Sequence, residues 1–223
     1  MGRPKALVAV GGTTLAERAV AALAPVVERV VLVGRGPLPP ALADLERLDD
    51  ALLAGAGGGG GASSRSIVPP PRVPEGDSPA AAGRLDEAPP AAPGGGWEAE
   101  AEAGAGAGPL AGLLAALRSA PGAAWILCPC DLPQVEPAAA AWLAGERRPG
   151  RLAVLPRPVP GGPVDPLFAL YEPGVLPWVE ALTAAGVRAP RELARVPGVA
   201  VLTPPEALAL CWRDADTPDE LVP

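Results

Sequence analysis

"AWILCPCDLP", residues 124–133, is a short apolar run that ends in a carboxylate. Five apolar residues bounded by Pro-Gly on one side and Pro129 on the other are too few for a helix of ordinary length. They fit a strand covered on both faces. Asp131 then stands where such a strand leaves the sheet and turns toward the next helix, and in open α/β sheets that carboxyl edge is where ligands collect. If this is right, strands and helices must alternate on either side of the run.

They do. On the N-terminal side, "GPLAGLLAALRSAPG" (108–122) predicts a helix with Pro109 in its first turn and Leu110, Leu113, Leu114 and Leu117 on one face. On the C-terminal side come a helix in "EPAAAAWLAG" (136–145), strands in "RLAVLPR" (151–157) and "VDPLFALY" (164–171), and helical pieces in "PGVLPWVEALTAAG" (173–186) and "PRELAR" (190–195). A last strand, "VAVLTP" (199–204), precedes a helical "PPEALAL" (204–210). At the front, "ALVAV" (6–10) predicts a strand and Gly11-Gly12 a turn. Thr14 to Glu17 matches a capping box at the head of a helix stopped by Pro25. "RVVLVG" (29–34) predicts a strand buried on both faces, and "ALADLERLDDALLAG" (41–55) a helix ended by Gly55. The alternation implies a three-layer α/β domain around a mostly parallel sheet.

The pattern lapses over residues 54–107, where segments such as "GAGGGGGASSRS" and "EAEAEAGAGAG" hold little but Gly, Ala, Pro, Ser and Glu. Ordering them would cost roughly 1–2 kcal/mol per residue with little apolar surface to offset it, so a flexible insertion in a single domain of residues 1–223 is expected. The pentaglycine within it has neither a preceding strand nor a following Lys-Ser or Lys-Thr, which sets it apart from a phosphate loop.

Composition narrows the chemistry. A formal charge of −7 argues against broad binding to nucleic acid or an anionic membrane. No apolar run approaches the eighteen or so residues of a membrane span, and the first residues lack the pattern of a signal peptide, so a cytoplasmic protein is expected. Histidine is absent, which removes His-based triads, a His general base and the usual zinc sets. Carboxylates, Lys, Arg and backbone groups must carry any catalysis.

Asp131 fits a magnesium ligand beside a nucleotide phosphate, and equally a cap for the turn "DLPQVEP". Cys128 and Cys130 are two apart, with only Cys211 elsewhere, a spacing that suits neither a zinc site nor a redox pair; they are expected to be inert, interior thiols. Lys5 is the only lysine among eighteen basic residues. A compact ammonium kept where arginine has otherwise replaced it points to phosphate contact, against the plainer reading of a solvated terminus. Asp214 and Asp216, in "RDADTPDEL", either present a second carboxylate to a metal or cap the last helix.

Taken together and in order, "MGRPKALVAVGGTTLAERAV", "GPLAGLLAAL", "CDLP", "DPLFALY" and "DADTPDEL" resemble the molybdenum cofactor guanylyltransferase family, within the nucleotidyltransferases of the sugar-nucleotide pyrophosphorylase type. The resemblance implies a Rossmann-like fold that joins GMP from GTP to molybdopterin-bound molybdenum, with Mg²⁺ and release of pyrophosphate. It makes GTP and the molybdopterin cofactor the ligands, and molybdoenzymes or other cofactor-biosynthesis proteins the further partners. By position it assigns Lys5 to the nucleotide phosphates and Asp131 to the metal. Gly108, Pro109, Leu110 and Gly112 go to the nucleotide pocket. The family's Asn-x-Asn-Thr-Pro is here Asp214-Ala215-Asp216, which alters the molybdopterin side. Family members also carry a first strand and a Leu-Ala-Gly-Gly-x-Ser-x-Arg loop before Met-Gly-Arg-x-Lys. This sequence starts at that methionine, so the fold is expected without its first strand, and a translation start upstream of Met1 is expected. Within the same fold, a sugar phosphate or another phosphomonoester is the alternative acceptor, and a non-catalytic remnant is the alternative outside enzymology.

Overall fold

The computed structural model describes residues 4–34, 36–49 and 108–215, all within a contact unit formed by Met1–Gly61 and Gly106–Pro223. The insertion expected at 54–107 and Asp216 lie outside the described residues.

After a 3₁₀ turn at Lys5–Leu7, β1 (Ala9–Val10) and β2 (Thr13–Thr14) form a small antiparallel hairpin. Gly11 and Gly12 turn it with φ of 61° and 85°, the left-handed region that glycine occupies without a Cβ clash. Only Ala9–Val10 of "ALVAV" is therefore strand, and it pairs with Thr13–Thr14 and not with the main sheet. The helix α1 (Leu15–Leu23) opens on the expected capping box: the Thr14 hydroxyl accepts the Glu17 N–H at 3.2 Å, and the Glu17 carboxylate accepts the Thr14 N–H at 2.7 Å. It ends ahead of Pro25, with Leu15, Ala16, Ala19, Ala22 and Leu23 buried.

Two expectations fail in the next stretch. Only Leu32–Val33 of the 29–34 run is laddered, as β3, and Val33 is 46% exposed. The described part of 41–55 is not helical; a 3₁₀ turn at Pro40–Leu42 leads into β4 (Arg47–Leu48), which pairs in parallel with β3. The Arg47 guanidinium donates to the carbonyls of Gly34 and Gly36, which ties this segment alongside β3 and overrides a weak local helix preference.

Order resumes with α2 (Pro109–Ser119), followed by β5 (Trp125–Leu127), α3 (Pro137–Gly145), β6 (Ala153–Pro156), β7 (Ala169–Tyr171), α4 (Leu176–Ala184) and β8 (Val199–Leu202). The "PRELAR" and "PPEALAL" pieces are 3₁₀ segments, Pro190–Arg195 and Glu206–Trp212. The main sheet has the order β5-β7-β6-β8. β6 and β8 are parallel, and β7 is antiparallel to both β5 and β6, so three strands share a direction and one opposes them. The reversal follows from the connection: no helix lies between β6 and β7, and a short return makes an antiparallel pair. The expected mostly parallel sheet is thus a mixed one.

Side chains alternate across this sheet with the period of two that strands impose. Val154 and Leu170 face a cluster with Ala22, Leu23, Ala139, Leu143 and Trp212, from α1, α3 and the last 3₁₀ segment. Ala153, Leu155, Ala169 and Tyr171 face the opposite cluster, with Leu110, Leu113, Leu117 and Val179 from α2 and α4. Helices on both faces of the sheet complete the three layers. Leu113 is fully buried there. Its truncation in Leu113→Ala is expected to cost about 2–5 kcal/mol, read as a lower urea midpoint with an unchanged slope.

β5 lies at one edge of the main sheet and is only half-buried, since among the described residues no strand pairs with its far side. Two cavities, of about 740 and 570 Å³, are each lined by Val31 from the β3 side and by Trp125 and Ile126. The same space accounts for the shortness and exposure of β3. Among the described residues no helix is long and apolar enough to cross a membrane.

Candidate active site

Pro129 has no N–H to give a ladder, and the strand stops before it. The chain turns out of the sheet there and carries Asp131 to the carboxyl edge. Lys5, in the first 3₁₀ turn, reaches it from 126 residues away: Nζ donates to Asp131 Oδ2 at 3.3 Å. The side chains keep 39% and 25% of their exposure, so the pair is open to a ligand. Oδ1 of Asp131 has no hydrogen-bond partner among the described residues.

Two further contacts fix this corner. Arg18, on α1, donates to the carbonyls of Val10 (2.8 Å) and Pro133 (3.2 Å), so one guanidinium ties the hairpin to the loop after Asp131. The Ala215 N–H donates to the Asp131 carbonyl at 3.1 Å, which brings the exposed Asp214 alongside. Asp165 belongs to the same neighbourhood. Burial pushes its carboxyl above the ordinary range, the N–H groups of Phe168 and Leu167 pull it down, and the charges of Asp131 and Asp214 push it up again. Neither Arg18 nor Asp165 was among the residues expected from the sequence. Arg18 carries no local signal, whereas Asp165 precedes a proline, a common turn initiator.

The cavity of about 570 Å³ is the cleft of this site: Asp131 and Cys130 line it together with Ala6, Gly108, Pro109 and Gly112. The N-terminus of α2, the positive end of its dipole, supplies that wall. Gly108 has φ 81°, a value that disfavours any side chain, and a Cβ at Gly112 would lie 3.3 Å from Val33 Cγ1. Leu110 departs from its expected place: it is 1% exposed and packs in the core against the α4 side of the sheet.

Cys128 and Cys130, expected to be interior, are only partly buried, whereas Cys211 is buried. Burial above all, with the charges of Cys130, Asp131 and Asp165, pushes Cys128 up to about 12, and burial also raises Cys130 and Cys211. At pH 8 the thiolate of Cys128 is a trace species, so iodoacetamide is expected to label it far more slowly than a peptide cysteine, and Cys128→Ala is expected to retain turnover.

The donor set suits a hard cation. Among the described residues no group of three or more His, Cys, Asp or Glu side chains could hold a metal by itself. Mg²⁺ needs less than that, since it takes one or two carboxylates and fills its remaining positions with phosphate oxygens and water. Asp131, whose Oδ1 has no partner among the described residues, and Asp214 are the carboxylates at this corner that could serve in that way.

The family described as "MobA-like NTP transferase domain" matches residues 1–65 and 80–199. Among solved structures, molybdopterin-guanine dinucleotide biosynthesis protein A from Archaeoglobus fulgidus is similar, with a TM-score of 0.59 and 19% identity over 99% of this chain and 88% of that one. A putative protein from Aquifex aeolicus VF5 matches at 17% identity and a TM-score of 0.43, over 49% of this chain and 57% of the other. No curated protein matches in sequence.

Proposed function

Since the chain belongs to the MobA-like NTP transferase domain family and is a nucleotidyltransferase, we propose that it transfers GMP from GTP to molybdopterin-bound molybdenum cofactor and releases pyrophosphate. The observation that carries the reading is the Lys5–Asp131 pair, held at the carboxyl end of β5 beside a cleft walled by the N-terminus of α2. Residues 54–107 are, in this reading, an insertion in a single catalytic domain.

The reaction is an in-line attack by the terminal phosphate of the acceptor on the α-phosphorus of GTP. A phosphate nucleophile is already ionised at neutral pH, so a chain without histidine lacks nothing that the step needs. What the protein must supply is position and charge. Bound Mg²⁺ would supply Lewis-acid stabilisation of charge on the α-phosphate. Asp131 would hold the ion, with Asp214 as a second carboxylate on the acceptor side. The Lys5 ammonium would neutralise the departing pyrophosphate, and the α2 N-terminus with Gly108, Pro109 and Gly112 would seat the nucleotide.

The test is pyrophosphate release from GTP, CTP or UTP in the presence of Mg²⁺ and either molybdopterin cofactor or a sugar phosphate. Turnover with GTP and the molybdopterin acceptor alone is expected. Preference for a sugar phosphate would overturn the acceptor assignment, and preference for CTP the choice of base.

A further inference from the structure

We propose that Asp165 is a positioning residue: through the turn it closes, it sets the placement of Asp214 against Asp131 without itself touching the substrate. The inference rests on the role given above to Asp131.

Asp165 begins the turn that leads into β7, and its backbone N–H is anchored to the Pro156 carbonyl at 2.8 Å. Its Oδ1 accepts two N–H groups in succession, from Leu167 at 2.7 Å and Phe168 at 3.0 Å. The Tyr171 hydroxyl, deep in the core, donates to the Pro166 carbonyl at 2.5 Å. The turn is thus closed by a carboxylate from within and clamped from the sheet. The purpose of that rigidity appears in what it presents. The Phe168 carbonyl accepts the Trp212 indole N–H at 2.8 Å, and the two rings stack with centroids 4.9 Å apart. Trp142 also meets Trp212, edge-on, with ring centroids 5.7 Å apart. Trp212 closes the last 3₁₀ segment, and three residues later Ala215, 1% exposed, donates its N–H to the Asp131 carbonyl. Asp214 lies between those two fixed points.

Contacts therefore run from the Asp165 carboxylate through Phe168 to Trp212, and the three residues that follow Trp212 carry the link to the backbone of Asp131. If the turn relaxes, the Phe168 carbonyl moves, the indole loses its acceptor, and the segment carrying Asp214 drifts from Asp131. Displacement of reacting groups by about 1 Å is enough to cost about 100-fold in rate.

An asparagine has the same acceptor at Oδ1 and keeps the turn; an alanine does not. Asp165→Asn is expected to stay within about threefold of wild type, whereas Asp165→Ala falls about 100-fold and needs about tenfold more Mg²⁺ for half-maximal rate. Trp212→Phe, which keeps the stack but loses the N–H, is expected to fall in the same direction as Asp165→Ala. Hydrogen exchange provides a readout independent of turnover: the Ala215 amide is expected to exchange about tenfold faster in Asp165→Ala than in wild type or Asp165→Asn, with the Leu113 amide unchanged as a control on the fold. Loss of activity in Asp165→Asn equal to that in Asp165→Ala overturns the proposal, because the charge would then be acting directly. Unchanged Ala215 exchange in Asp165→Ala overturns it as well, even in a chain with no nucleotidyl transfer, an outcome that would separately defeat the functional reading.

Discussion

Asp131→Asn is expected to lower the Mg²⁺-dependent rate by about 100- to 1,000-fold while leaving the thermal midpoint close to wild type. Asparagine matches aspartate in size and offers Lys5 the same acceptor, so what is removed is the negative charge. The anchor to Ala215 uses the backbone carbonyl of residue 131 and survives the substitution. An ion pair as exposed as Lys5–Asp131 contributes at most about 1 kcal/mol to folding, which is why stability and turnover should separate. Kinetics with GTP over a range of Mg²⁺ concentrations, together with a melting curve, check both halves of the expectation.

Replacing Lys5 is expected to produce the second-largest loss. Lys5→Met removes the charge that would balance the leaving pyrophosphate and should reduce kcat by about 100-fold, with a smaller change in KM for GTP. Lys5→Arg should recover only part of it, because a planar guanidinium cannot take the place of a compact ammonium at the 3.3 Å contact with Asp131. The composition supplies a direct check. With one lysine in 223 residues, an amine-directed reagent has a single side-chain target. Modification of Lys5 should track the loss of activity, and Mg²⁺ with GTP should protect it.

The parts of the fold legible in the sequence are those where local pattern and packing agree. Pro109 and the leucine face of 110–117 specify α2, Thr14 and Glu17 specify the start of α1, and the apolar run before Asp131 specifies β5. The region around β3 and β4 is not legible, because its form is decided by pairing across a dozen or so residues and by space shared with β5. Arg47 ties its own segment to Gly34 and Gly36, and the far edge of β3 meets cavities shared with β5. The reversed direction of β7 likewise depends on the absence of a helix in the return from β6.

The site divides in the same way. Lys5 and Asp131 stood out because one is unique in composition and the other ends a strand, and the structure brings them together. Leu110 was grouped with its neighbours in the motif, but successive residues on a helix point about 100° apart, so Pro109 lines the cleft while Leu110 turns into the core. Asp165 was hidden within a strand signal, and its closeness to Asp131 and Asp214 depends on how the hairpin between β6 and β7 folds back.

The central proposal, that Asp131 holds a divalent ion together with a nucleoside triphosphate, is tested most directly with Mn²⁺ as a paramagnetic probe titrated against the protein in the presence of a non-hydrolysable GTP analogue. Wild type should show bound Mn²⁺ that requires the nucleotide, and Asp131→Asn should lose it. Equal Mn²⁺ binding by both proteins would contradict the account.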